Sequence, residues 1–217
     1  MNSIKDEMYL LPDEASSYLG YLNDSGDGSH DISHILRVWA NVKKIQKVEG
    51  GSLEILLAAT ILHDCVHVEK SSLLRSSAST ISAARSREIL KELNWDSQKI
   101  DLVTHAIESH SYSAGIAPQT IEAKILQDAD RLDAIGAIGI ARCFYVAGRM
   151  GSALYDPNNP QAVSRKYQDK KYAIEHFHVK LLNLSDDFKT NEGIRLAEIR
   201  ALRLRRFVEE FMEEIEG

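Results

Sequence analysis

Several things are scarce in this sequence, and each scarcity removes a class of function. There are only two cysteines, Cys65 and Cys143, and they form no Cys-x-x-Cys pair. A disulfide framework is therefore not expected, and free thiols point to a reducing compartment. Long apolar runs are missing too: the longest clear one is about ten residues, against the ~20 that a membrane-spanning helix needs. The opening residues are charged from Lys5 onward and lack the apolar core of a signal peptide. Together these absences predict a cytoplasmic protein with no membrane partner. Positive charge is in short supply, with 26 Lys and Arg against 32 Asp and Glu and a net charge of −6. Without a long basic block, an extended nucleic-acid face is not expected. A small anionic substrate would need locally concentrated positive charge, from a metal ion or a few Arg and Lys. Strand-like alternation and internal repeats are absent as well.

What is present reads as helix. At 217 residues, 44% apolar and 27% charged, the chain has the make-up of one globular domain able to bury a full core. A short helix is expected after Pro12, then a loop of turn residues from Asn23 to Ser29. Ile32, Ile35, Leu36, Trp39, Val42 and Ile45 recur at helical spacing up to Gly50 and Gly51. An apolar helix from Leu53 to Leu62 follows, then a polar, basic loop from Lys70 to Thr80. Helical patterns are predicted over roughly 81–94, 97–110 and 119–148, and, beyond the break at 156–160, over roughly 169–184 and 191–215. The fold class is all-α. The closing helix carries Arg on one face and Glu at its end, which reads as a solvated surface.

Against this background a few polar residues stand out. The apolar run through Ile61 and Leu62 delivers an adjacent histidine and aspartate, His63 and Asp64. Burying an imidazole beside a carboxylate is costly unless something positive sits between them, and a divalent metal suits both groups. For the pair alone, a histidine hydrogen-bonded to its neighbour at a helix end is the simpler account. His34 lies on the periodic helix, with Asp31 three residues before it and Arg37 three residues after. Three aspartates, Asp128, Asp130 and Asp133, lie in an otherwise apolar segment, where acids are rarely left unpaired. On a regular helix Asp130 and Asp133 are about 60° apart and Asp128 and Asp130 about 160°, so one metal cannot readily take both of the latter. The three acids capping helix ends, or pairing with Arg131 and Arg142, is the competing account.

The ordered motifs His34-Ile35-Leu36-Arg37, Leu62-His63-Asp64, His110-Ser111-Tyr112-Ser113-Ala114 and Gln127-Asp128-Ala129-Asp130-Arg131-Leu132 resemble the HD-domain superfamily of metal-dependent phosphohydrolases. The stretch His176-Phe177-His178 and the downstream Thr190 extend the likeness to a bacterial single-domain subfamily over nearly the whole chain. The resemblance implies a single HD-type helical bundle over 1–217, with its signature core at about 30–148 and C-terminal helices at about 160–217. It implies one divalent ion (Mn, Mg, Fe, Co or Zn) on His34, His63, Asp64 and Asp130, the signature aspartate being the one before Arg-Leu. The expected substrate is a nucleotide or another small phosphate ester or anhydride. The oligomeric state is left open.

Around that centre, His110 is a candidate proton donor or phosphate contact, and Asp128 or Asp133 a candidate acceptor of the water proton. Arg37, Lys70 and Arg75 are candidate phosphate contacts, with the hydroxyls of Ser76, Ser77 and Ser79 nearby in sequence. His105 reads as structural, and His67 as either site-lining or solvent-facing. Gly136 and Gly139 follow no strand, so they are expected to permit helix packing rather than to bind a dinucleotide. Two other activities fit the same signature. One is an HD-type di-iron oxygenase, which needs extra histidine ligands between the motifs. The other is a metal-stabilised nucleotide-binding module with little turnover.

Overall fold

The computed structural model describes residues 11–22, 32–68, 75–111 and 114–216. Among them are nine α-helices: α1 (Ser16–Leu19), α2 (Ile32–Glu49), α3 (Leu53–Leu62), α4 (Ala78–Glu92), α5 (Ser97–His110), α6 (Ile121–Asp133), α7 (Gly136–Arg149), α8 (Glu175–Val179) and α9 (Asn191–Glu216). No strand occurs among the described residues, only an isolated bridge between Ala153 and Tyr172. The all-α expectation holds. No described helix is long and apolar enough to cross a membrane. The loop expected at 23–29, Lys70 and the side chain of Arg75 lie outside what is described.

The chain divides into two compact units, residues 1–130 and 131–217. The first is built on α3. Its sequence is apolar on every side, and every residue from Ile55 to Leu62 is buried, as befits a helix surrounded by others. It packs against α1, α2, α4 and α5. Each fully buried Leu or Ile there contributes about 1.5–3 kcal/mol from apolar burial. Gly50 and Gly51 turn the chain between α2 and α3 with φ of 80° and 91°, a region open mainly to glycine. Ser52 then caps α3, its Oγ accepting from the Ile55 amide. The amide of Ser52 donates to Glu122 at 2.8 Å, which ties the start of α3 to α6. Asp96 caps α5 in the same manner, accepting from the amides of Gln98 and Lys99.

In the second unit α7 packs against α9, with Phe144 of α7 meeting Phe207 and Phe211 of α9, and Phe177 of α8 tilted against Phe144 and stacked on Phe207. Two expectations change here. The single helix expected over 119–148 is α6 and α7, because Ile135 is extended and Gly136 adopts φ 74°. Arginines donate to carbonyls at the break: Arg200 to Leu132, which also accepts from the Ile135 amide, and Arg142 to Asp133. The helix expected over 169–184 shrinks to α8 followed by a 3-10 segment, Leu181–Asp187. The reason lies in the backbone, since the amides of Ala173 and Ile174 donate to Ala153 and Leu154 instead of to a helical turn. Arg165 secures that region, donating to both carboxylate oxygens of the buried Glu175 and to Asp156.

Candidate metal centre

Four helices of the first unit bring five polar side chains together. The buried face of α2 carries His34. His63 is the C-terminal cap of α3, fully buried, and Asp64 follows it at the surface. His110 is the buried last residue of α5, and Asp130 is half-buried on α6. The His34 and His63 Nε2 atoms are 3.3 Å apart. Asp130 lies 3.4 Å from His34 Nε2, and Asp64 lies 3.7 Å from His63 Nε2. His110 Nε2 is 3.8 Å from Asp64, and its ring meets the His63 ring edge-on.

Two backbone carbonyls settle the chemistry of these rings. His63 Nδ1 is 2.7 Å from the Thr60 carbonyl, and His110 Nδ1 is 2.6 Å from that of Ile107. A carbonyl only accepts, so each Nδ1 carries the proton and, in the neutral ring, each Nε2 offers a lone pair. His63 thus directs a lone pair at another ring nitrogen in a buried place, beside two carboxylates. A metal ion among them would satisfy all these groups at once, where a proton on His34 Nε2 would serve only the bond to His63. Ligands about 2.1 Å from a common ion are separated by roughly 3–3.4 Å at octahedral or tetrahedral angles, close to the spacings of His34, His63 and Asp130. Two overlapping groups could hold an ion: His34, His63 and Asp130, and His63, Asp64 and His110. Burial, and then the neighbouring His63 ring, hold the His110 imidazole below its usual pKa, outweighing the opposite pull of Asp64 and Asp130.

The structure thus gathers His34, His63, Asp64, Asp130 and His110 from the sequence-predicted set. It does not bring Asp128 or Asp133 into either group. Asp128 is fully buried on α6, and Asp133 binds Arg142 at 2.7 Å within the second unit. Arg37 is half-buried one turn along α2 from His34. His67 is exposed. Both nitrogens of His105 are engaged, one with Glu108 and the other accepting from the Gln119 amide. Ser76 and Ser77 are exposed and Ser79 is buried at the start of α4. Sequence reasoning passed over two buried carboxamides beside the cluster, Asn41 and Gln127. Each was visible in the sequence only as a polar residue on the helix face of a candidate ligand, Asn41 with His34 and Gln127 with Asp130.

Comparison with known proteins follows the same residues. The family model of the HD domain matches residues 31–135, a span that contains all five clustered side chains. The uncharacterized protein YpgQ of Bacillus subtilis is 34% identical over 200 residues, covering 90% of this chain and 89% of that one. A crystal structure of an HD-superfamily hydrolase from Bacillus thuringiensis superposes with a TM-score of 0.72 at 32% identity, covering 94% of this chain and 97% of that one. The crystal structure of Bacillus subtilis YpgQ in complex with ADP gives 0.71 at 31% identity, covering 93% and 97%. The ordered histidines and aspartates, the all-helical fold and these relatives agree: the chain belongs to the HD-domain superfamily, among its hydrolases.

Proposed function

We propose that this protein is a cytoplasmic, metal-dependent phosphohydrolase that cleaves a phosphate ester or anhydride of a nucleotide, with water as nucleophile. The observation that carries the reading is the approach of His63 Nε2 to His34 Nε2, in reach of Asp130 and with the His63 ring locked by the Thr60 carbonyl. His34, His63, Asp64 and Asp130 would hold one divalent ion, drawn from Mn, Mg, Fe, Co or Zn. When bound, such an ion supplies Lewis acidity, lowering the pKa of water and offsetting charge on phosphoryl oxygens.

The chain's own residues do the rest. The Thr60 carbonyl keeps the His63 ring in the tautomer a ligand needs. His110 Nε2, bare while Nδ1 donates to Ile107, accepts the proton of the attacking water. The imidazolium so formed can return that proton to the departing oxygen, which unites the acceptor role with the donor role expected from the sequence. Arg37, Lys70 and Arg75 are the proposed phosphate contacts. They would supply the local positive charge that a chain of net charge −6 otherwise lacks. The nucleotide in this reading draws support from YpgQ, crystallised with ADP.

The test is a substrate screen. Metal-free protein is reloaded with each of the five ions and offered a panel of nucleotides and other phosphorylated metabolites. Turnover concentrated on nucleotides supports the reading. Turnover only of non-nucleotide esters removes the nucleotide from it, and oxygen consumption would replace it with the oxygenase. One observation favours a second reading: His63, Asp64 and His110 also converge, so two ions could share the site. Two tightly held ions per chain, one of them lost in His110→Ala, would select it.

A further inference from the structure

Two buried carboxamides stand beside the cluster without belonging to it. Asn41 lies on α2 seven residues after His34, two helical turns along the same face. It is 3% exposed, and its Nδ2 donates to the Ala129 carbonyl at 3.0 Å. Gln127 lies on α6 three residues before Asp130, and is also 3% exposed. Its Nε2 donates to the Ser109 carbonyl at 2.6 Å. Ser109 is in the last turn of α5, where carbonyls lack a partner within the helix. In both cases the accepting carbonyl belongs to the residue immediately before a site side chain: Ala129 precedes Asp130, and Ser109 precedes His110. A carbonyl only accepts, so each amide nitrogen must face it and each carboxamide is fixed in one orientation.

We propose that Asn41 and Gln127 are positioning residues: Asn41 holds the Asp130 carboxylate against His34, and Gln127 holds the His110 ring against Asp64. The assignment rests on the metal-dependent reading above. The two residues act on different parts of the site, so their consequences separate. His34 and Asp130 are the proposed ligands, 3.4 Å apart. Freeing the Ala129 carbonyl lets the spacing of α2 and α6 drift, which reads out in metal affinity. His110 is the proposed proton carrier, 3.8 Å from Asp64. Freeing the Ser109 carbonyl lets the end of α5 drift, which reads out in turnover.

Asn41→Leu keeps the branched shape of the side chain and Gln127→Met its length, and each deletes the bond to the carbonyl. Each variant, made metal-free, is titrated with Mn²⁺ by calorimetry and then assayed for nucleotide turnover at saturating metal. Asn41→Leu should lose about 10–100-fold in metal affinity and regain turnover as Mn²⁺ is raised. Gln127→Met should keep wild-type affinity while kcat falls about tenfold or more at unchanged KM. Loss of both properties together in each variant, in step with a lower melting temperature, would mark a merely structural role and overturn the proposal. No change in either property would overturn it too. If either variant fails to fold, Asn41→Ser and Gln127→Asn take their place and must show the same split. The titration needs no substrate, so a protein that turns over no nucleotide defeats the functional reading while the Asn41 arm still decides the positioning one.

Discussion

Asp128 and Asp130 stand two residues apart on α6, yet they meet different surroundings. Asp130 lies 3.4 Å from His34 Nε2, whereas Asp128 is fully buried and outside both groups of ligand-type atoms. The account predicts that Asp130→Ala, like His34→Ala, His63→Ala or Asp64→Ala, releases the metal. Asp128→Ala should retain more of it, as read by metal analysis of the purified variants. The reverse order would make Asp128 the ligand. His110→Ala should keep its metal and lose about 10²–10⁴-fold in turnover, the usual worth of a positioned proton carrier. Much of this was legible in the sequence. A histidine on an apolar helix face, a His-Asp pair after an apolar run and an aspartate before Arg-Leu mark the cluster by residue type and order. The tautomers were not legible, because they depend on which carbonyl happens to face each Nδ1.

At the scale of elements, the break between α6 and α7 is the instructive case. Apolar periodicity runs through it unbroken, and Gly136 is visible in the sequence only as a small residue. In the fold it has φ 74°, and a Cβ there would lie 3.1 Å from the Arg200 side chain. Gly136→Ala should therefore cost about 1–3 kcal/mol. Gly148→Ala, in a helical position with nothing within 4 Å of the new carbon, should range from neutral to about 1 kcal/mol stabilising. Thermal unfolding of the two variants checks the contrast, and equal losses would contradict it. The long helix expected over 169–184 failed for a related reason. Its amides are taken by Ala153 and Leu154, partners about twenty residues away that no local pattern announces. By contrast, α3 could be read almost to its ends, because its burial is written in continuous apolar residues and its limits in Gly50, Gly51 and Ser52.

At the scale of the whole molecule, stability should depend on pH through Glu175 in the second unit. Arg165 donates to both of its oxygens and holds its carboxyl below the usual range, with burial opposing. The folded protein therefore keeps this carboxylate to lower pH than the unfolded chain, whose glutamates titrate near about 4.3. The stabilisation is complete above that value and is lost as pH falls through the lower folded pKa. Glu175→Gln should lower the melting temperature at pH 7, and the gap from wild type should narrow as pH falls from about 4 to about 2. A gap that stays constant over that range would contradict the ion pair's role. In the first unit, the metal proposed for the His-Asp cluster would be required for the proposed nucleotide hydrolysis. The most direct measurement is nucleotide turnover by wild type and His63→Ala, each stripped of metal and then reloaded with Mn²⁺. The account predicts no turnover by stripped wild type, full recovery on reloading, and no recovery in His63→Ala. Equal turnover with and without metal, or recovery in His63→Ala, would contradict it.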